Sequence, residues 1–430
     1  MRAEAGAEAR SDGLWYRVPW PVYSGGNAVT LLRGGDDLFP AMHAAIDAAQ
    51  HEVWLASYIF HDDAAGLAMA EVLVRAAQRG VRVQVVVDGF GSNRSCATLR
   101  QRLVEGGVHF AVFRPLDRWT QWLQPGQLRR QHMKLCVVDH ETGFIGGINI
   151  IGDRLDIHHG ISELPRLDFA AQVRGPVVLP MSQAVRAVWS RATLGRAWRQ
   201  EAHALLTTPR PLQRLQQTLQ QVRMPRRSRR APLLQEMAPM RAALVLRDNL
   251  RQRRTIERSY VAAIARAQRR VWLVSPYFYP GQEFRRALRQ AAQRGVDVRL
   301  LLQGKLDYRV AGLAARVLYR ELLRQGVQVY EYTPAFLHAK VALVDDDWAT
   351  VGSSNIDPLS LLLNLEANLI VRESDFVDRL ARELEHAWQA SQQIGPTNVP
   401  MRGWVGWVGR AVVAWCAYVY LRVAGVTGRY

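Results

Sequence analysis

Residues 44–60 read AAIDAAQHEVWLASYIF, and residues 262–278 read AAIARAQRRVWLVSPYF. Each stretch begins with apolar residues at helical spacing and passes into a short run of β-branched and aromatic residues. The agreement continues outward. Residues 75–89 (RAAQRGVRVQVVVDG) are answered by 290–304 (QAAQRGVDVRLLLQG), and 107–115 (GVHFAVFRP) by 326–334 (GVQVYEYTP). In both copies a second helix ends near a glycine, Gly80 or Gly295, ahead of another apolar strand. Helices alternating with apolar strands build an α/β layered domain. Two copies predict two similar α/β sandwich domains packed about a pseudo-twofold axis, and the repeat is far too long for a solenoid.

The chain has 430 residues, 49% of them hydrophobic and 22% charged, which fits two ordered cores and argues against wholesale disorder. Its 56 Lys and Arg outnumber 38 Asp and Glu, for a net charge of +18. Such a field favours polyanions: nucleic acid, an acidic membrane face or phosphate-bearing substrates. The three cysteines, Cys96, Cys136 and Cys416, show no metal-ligand spacing. Neither a zinc site nor a disulfide frame is expected, and a reduced, cytosolic setting follows. Only three of the cations are lysine: Lys134, Lys305 and Lys340. A lysine in this chain therefore marks a place that needs a compact ammonium rather than a planar guanidinium.

The text divides into an N-terminal segment (1–26) with no apolar run for a signal peptide, a first domain (27–200), a basic linker or arm (201–240), a second domain (241–398) and an aromatic, basic C-terminal segment (399–430). The linker carries RMPRRSRR at 223–230 among several prolines and reads equally as a solvated loop or a polyanion-binding arm. In the C-terminal segment the longest uncharged run, 411–421, would cover about 16 Å as a helix, roughly half a bilayer core. Its tryptophans, tyrosines and flanking arginines favour a membrane-interface anchor over a helix packed on the body or a true span. A further insertion, 116–131, holds Trp119 and Trp122 with Arg118, Arg129 and Arg130, and reads as a lipid-facing lip or a plain surface loop.

Each half carries one more matched segment. His132, Lys134, Asp139, Gly146-Gly147 and Asn149 recur with identical internal spacing as His338, Lys340, Asp345, Gly352-Ser353 and Asn355. Residues 135–138 and 341–344 are apolar and read as buried strands. On a strand, positions i and i+2 share a face, so each His and its Lys project together, while each Asp falls on the opposite face or in the following turn. Gly147 and its partner Ser353 let backbone approach a ligand, Ser353 adds a hydroxyl, and Asn149 and Asn355 offer amide donors from the next strand. Two halves face to face would thus offer two imidazoles, two ammonium groups and two amides around one phosphate. One neutral His would attack phosphorus while the other, protonated, donates to the leaving oxygen. The lysines and asparagines would hold the non-bridging oxygens. No metal and no cofactor is required. Asp168 and Glu366, downstream of the two motifs, are candidates to fix the imidazole tautomers.

These motifs resemble those of the phospholipase D superfamily, whose signature is a paired H-x-K-(x4)-D followed by G-[GS]-x-N. The likeness runs from about residue 27 to about 388. The wording GFIGGIN after the first motif and VALVDDDWATVGSSNIDPLSLLLNLEANL around the second is similar to bacterial cardiolipin synthases, most of all their B branch. The resemblance implies two phospholipase D-like domains and phosphatidyl transfer from phosphatidylglycerol, through a covalent phospho-histidine, to the hydroxyl of a second phospholipid. It also implies His132 as nucleophile and His338 as general acid, and it groups Asp139 and Asp345 with the catalytic residues. Anionic phospholipids and a membrane surface are the expected partners, at the cytoplasmic face of the inner membrane. A phosphodiesterase acting on phospholipid or nucleic acid is the alternative that the same charge and chemistry permit, and a silent membrane-binding scaffold is a third.

Overall fold

The computed structural model describes residues 20–115, 129–157, 160–207, 240–248, 252–305, 318–357 and 364–395. The C-terminal segment, the RMPRRSRR arm, and Trp119, Trp122 and Arg118 lie outside the described residues.

The first half contributes β1 (Ala28–Arg33), β2 (Glu52–Ser57), β3 (Arg82–Asp88), β4 (His109–Phe113), β5 (Leu135–Val138), β6 (Thr142–Gly146), the small hairpin β7 (Leu155–Asp156) and β8 (Gly160–Ile161), and β9 (Phe169–Arg174). Seven of these form one sheet in the order β1-β9-β6-β5-β2-β3-β4. The second half repeats the plan with β10 (Arg241–Arg247), β11 (Arg270–Ser275), β12 (Asp297–Gln303), β13 (Gln328–Tyr332), β14 (Val341–Val344), β15 (Trp348–Gly352) and β16 (Glu366–Arg372). An added edge strand, β17 (Ser391–Ile394), makes the order β10-β16-β15-β14-β11-β12-β13-β17. In each sheet three strands run parallel, β2-β3-β4 and β11-β12-β13, and the others pair antiparallel.

The layers follow from side-chain alternation along the central strands. Val53 and Leu55 face helices α1 (Gly34–Asp47), α2 (Ala64–Gln78) and α3 (Cys96–Glu105), while Trp54 and Ala56 face the opposite way. After α4 (Val178–Thr207), the second half repeats this. Val271 and Leu273 face α5 (Thr255–Arg266) and α6 (Gln282–Gln293), and Trp272 and Val274 face inward. The inward residues of both sheets, with α4 and α7 (Ser374–Gln389), merge into one core that spans the halves. Helix α2 starts on the Asp63 carboxylate, which accepts from Gly66 N–H, and α7 starts on Glu373, which accepts from Phe376 N–H. Gly80 and Gly295 follow α2 and α6 at φ of 90° and 86°, the left-handed stop that lets the chain turn back into β3 and β12.

The parallel strands β2, β3 and β4 all end at one edge of the first sheet. Because β5 runs antiparallel to β2, with Leu135 opposite Ala56, the residues just before β5 lie at that same edge. The second sheet does likewise, with Val341 opposite Val274. Both motif histidines therefore stand at the carboxyl edge of a parallel sheet, where α/β folds commonly place their ligands.

The motif aspartates lie in the turns that follow β5 and β14, the supporting place that the strand spacing gives them. Asp139 lies at the far end of β5, about 13 Å along the strand. At φ 50° it turns its carboxylate onto the amides of Gln50, His51 and Glu52 at 2.7, 2.9 and 2.7 Å. Asp345, at φ 51°, takes those of Gln268, Arg269 and Arg270 at 3.0, 2.8 and 3.1 Å. Each pins the β5–β6 or β14–β15 turn to the amino end of the neighbouring parallel strand. Burial tends to raise the Asp139 carboxyl, but the three amides together hold it below its ordinary value. Asp139→Ala should therefore cost about 1–3 kcal/mol of folding stability near neutrality. A carboxyl depressed by folding stabilises above its unfolded pKa, and that contribution fades as pH falls through the depressed one. The gap between wild type and variant in urea denaturation should accordingly close toward low pH, and a gap independent of pH would show that the charge on Asp139 is immaterial.

Candidate active site

The two halves meet through matching segments. Gln131 bridges Leu365, and Leu167 bridges Leu337, both in parallel sense. Around the first bridge the His132 amide donates to Leu365 O at 3.0 Å and the Leu365 amide to Arg130 O at 2.8 Å. Around the second, the Leu167 amide donates to Phe336 O at 2.9 Å and the His338 amide to Leu167 O at 2.9 Å. Each histidine of one half is thus laid beside the residue that precedes the candidate carboxylate of the other half.

Asp168 and Glu366 therefore act across the interface. His132 Nδ1 donates to Glu366 Oε2 at 3.0 Å, and His338 Nδ1 shares a hydrogen bond with Asp168 Oδ2 at 2.6 Å. Sequence order placed each carboxylate downstream of the histidine in its own half, whereas the structure exchanges the partners. Both carboxylates are buried. With Nδ1 engaged, each ring keeps Nε2 for chemistry. Lys134 and Lys340 stand two residues on, their ammonium groups donating to the carbonyls of His132 (2.8 Å) and His338.

Burial dominates the electrostatics. It lowers His132 against the opposing pull of Glu366, and with the charges of Lys340, Arg166, Lys134 and His132 it holds His338 well below the usual imidazole range. It brings Lys134 down to about 8 and Lys340 to about 7, although Glu366 and Asp168 oppose it. The two carboxyls diverge. Burial pushes Asp168 up to about 7 even with Lys340 beside it. Glu366 feels the same burial, but His132, Lys134 and the Ser353 hydroxyl together bring it below its ordinary value. The mutual effects of His132, His338, Lys134 and Lys340 mark them as one electrostatic unit.

The glycine–serine pair has a more specific place than a phosphate cradle. Ser353 Oγ donates to Glu366 Oε2 at 2.6 Å, the oxygen that also receives His132 Nδ1, and accepts the Ala367 amide at 3.1 Å. At Gly147 a Cβ would stand 2.2 Å from Asp168 Oδ1, so Asp168 fills the volume that the serine side chain occupies in the other half. Gly147 and Ser353 thus also adjust the orienting carboxylates. Asn149 and Asn355 sit just beyond β6 and β15 rather than on a strand. Asn149 Oδ1 accepts the Ile59 amide at 3.2 Å, tying this segment to the end of β2, and buried Asn355 Oδ1 has no hydrogen-bond partner. Tyr58 was missed from sequence. Its ring meets His132 edge to face at 4.7 Å and lies 5.3 Å from Lys134 Nζ. The signal was its replacement by Pro276 in the second copy of the repeat. Among the described residues no group of three or more His, Cys, Asp or Glu is arranged to hold a metal ion.

Comparison with known proteins places this geometry. The family described as "Cardiolipin synthase, PLD-like domain" matches residues 42–160 and 260–388. The chain is 36% identical over 380 residues to cardiolipin synthase B of Shigella flexneri, covering 88% of this chain and 85% of that one. It is 34% identical over 368 residues to cardiolipin synthase A of Pseudomonas putida (strain GB-1), covering 86% and 70%. Its fold resembles the crystal structure of phosphatidylserine synthase from Haemophilus influenzae Rd KW20, with a TM-score of 0.66 at 13% identity over 97% of each chain. The paired His-Lys segments, the duplicated sheets and these matches agree: the chain belongs to the cardiolipin synthase family of the phospholipase D superfamily and is an enzyme of that phosphatidyltransferase type.

Proposed function

We propose that the enzyme takes a phosphatidyl group from phosphatidylglycerol onto His132 and passes it to the hydroxyl of a second phospholipid. The observation that carries this reading is the pair of imidazoles whose Nδ1 atoms are tied to buried carboxylates across the interface. His132 Nε2 attacks phosphorus, the P–O bond to the leaving glycerol breaks, and that oxygen takes a proton from the His338–Asp168 pair. In the second step the acceptor hydroxyl attacks phosphorus, its proton passes to His338, and the P–N bond to His132 breaks. The inequality of the two pairs supports this order. Asp168, raised to about 7, lets the His338 pair keep a transferable proton near neutrality. Glu366 stays ionised and the buried His132 ring stays neutral, with its lone pair available. Lys134 and Lys340, desolvated in the free enzyme, hold the non-bridging oxygens as charge develops, together with the amides of Asn149 and Asn355. Asp168 and Glu366 act as positioning groups, and Tyr58 limits the swing of the His132 ring.

The work site is a membrane surface, in keeping with phospholipid substrates, and we place it at the cytoplasmic face of the inner membrane. Among the described residues no helix is long and apolar enough to cross a membrane. Contact with lipid is assigned to the aromatic segment 399–430, whose deletion should weaken sedimentation with phosphatidylglycerol vesicles.

The direct test is incubation with phosphatidylglycerol vesicles, with and without phosphatidylethanolamine, and resolution of the lipid products by mass. Wild type should yield cardiolipin, and His132→Ala should lose turnover by a factor on the order of 10³ or more. Phosphatidic acid as the sole product would assign hydrolysis instead, and cleavage of DNA with lipids untouched would assign a nuclease.

The lowered lysines give a pH test. In the free enzyme each ammonium is charged below its pKa and neutral above it, about 7 for Lys340 and about 8 for Lys134. Tungstate, an oxyanion of constant charge over this range, should inhibit well at pH 6.5 and more weakly as pH rises through 7 and 8. The inhibition constant should climb by about tenfold per pH unit for each lysine losing its proton. An inhibition constant flat between pH 6.5 and 9 would remove the lysines from oxyanion binding.

A further inference from the structure

The repeat also exposes a difference beside the pocket. The row that carries the first histidine reads Arg130, His132, Lys134 at alternate positions, with Gln131 and Met133 turned the other way and buried. The corresponding row in the second half reads Phe336, His338, Lys340. Arg130 is joined by Arg114, just past β4, and Arg129. The Arg130 guanidinium donates to Arg114 O at 2.9 Å, lies 3.8 Å from Asp88 Oδ1 and covers the exposed ring of Phe90. Arg114 donates to Arg129 O at 3.0 Å. Arg129 Nε is buried with no hydrogen-bond partner.

Three arginines thus cluster here with one carboxylate, which only the Arg130 guanidinium approaches. That carboxylate, Asp88, is fully buried and already occupied by the amides of Phe90, Gly91 and Gln131. Burial first, and then the neighbouring Arg129 and Arg130, pull Arg114 down to about 10. The second half does not repeat this arrangement. Gln303, Thr333 and Phe336 stand where the first half has Asp88, Arg114 and Arg130, and the nearby Lys305 is exposed and bonded to Pro334 O. Arg166, which acts on His338, is 4.0 Å from Asp156 and donates to Leu155 O.

We propose that Arg114, Arg129 and Arg130 form an acceptor subsite that binds the non-reacting phosphate diester of an anionic acceptor lipid. Arg130 and His132 are separated by two residues of extended chain, roughly 6.6 Å. An acceptor whose own phosphate is linked to the attacking hydroxyl by a short polyol bridge would set that hydroxyl beside the phosphorus on His132. Planar donors suit the paired oxygens of a phosphate diester. Water and free glycerol have no such group and gain nothing from the subsite. The inference rests on the transfer reaction proposed above and names its preferred acceptor.

The test is a competition on the phospho-enzyme. Phosphatidylglycerol vesicles are supplied with deuterated glycerol, and three products are read by mass: cardiolipin, deuterated phosphatidylglycerol and phosphatidic acid. For Arg130→Gln and Arg114→Gln the ratio of cardiolipin to deuterated phosphatidylglycerol should fall about tenfold or more, with Arg130→Lys in between. Added salt should lower the same ratio in wild type more steeply than in the variants. Equal loss of all three products in variants that retain the wild-type melting temperature would overturn the subsite, as would an unchanged ratio. A wild type that transfers to neither alcohol would instead bring down the underlying transferase reading.

Discussion

Everything in this molecule depends on an exchange: each imidazole is fixed by a carboxylate from the other half of the chain. His132 needs Glu366, and His338 needs Asp168. Neither half by itself has a histidine with a defined tautomer. Unpaired, these buried carboxylates and the lysines beside them would be costly to desolvate, so the interface is stable only when both cross-pairs form together. The backbone bridges at Gln131–Leu365 and Leu167–Leu337 set the register at which this occurs. The shared apolar core holds that register, and the packing of the two sheets is therefore also the positioning of the chemistry.

This exchange was the part of the site that sequence could not reveal. The duplicated helix-strand text foretold two α/β layers, and β5 and β14 coincide with the apolar runs that follow each His-Lys pair. Local periodicity reaches that far because it describes one strand against its own core. Pairing between halves depends on a contact across more than 150 residues, and nothing in the spacing of His132 and Asp168 says that they belong to different pairs. Asp139 and Asp345, by contrast, were legible, because the strand reading already put them on the opposite face or in the following turn. They share a motif with the histidines, yet the strand between carries them to the opposite edge, where they hold turns. A motif records residues that a family keeps together in sequence, and here it joins two tasks, chemistry at one end of a strand and anchoring at the other.

The two halves are alike in backbone and unlike in charge, and the differences cluster around the reacting groups. Ser353 gives Glu366 a second hydrogen bond on the oxygen that holds His132. Gly147 has no side chain to do so, and its empty volume is filled by Asp168. His132, Lys134 and the Ser353 hydroxyl together stabilise Glu366 as an anion, while burial leaves Asp168 with proton affinity near neutrality. A symmetric pocket would let either histidine attack from either side of phosphorus. Unequal carboxyls make the two pairs differ, one with its carboxyl ionised beside His132 and the other with a carboxyl that still holds a proton near neutrality beside His338, the difference that the proposed order of bond changes uses.

The rim extends that asymmetry from the proton to the substrate. A ping-pong transferase must bind two similar lipids in turn, and once the phosphatidyl group is on histidine its chief competitor is water, which is far more abundant than any lipid hydroxyl. Selectivity then requires binding energy that the lipid acceptor has and water lacks. The reacting hydroxyl cannot supply it, because water carries the same group. The acceptor's own phosphate can, provided that cations wait at a fixed distance from the phospho-histidine. Arg130 shares the extended row of His132, so its distance is set by the β geometry that also aims the imidazole, and the histidine of the other half has an apolar phenylalanine in that position. The duplication that built the pocket left one histidine with a cation beside it and the other without, and a site that must distinguish an incoming lipid from an outgoing one has use for that difference.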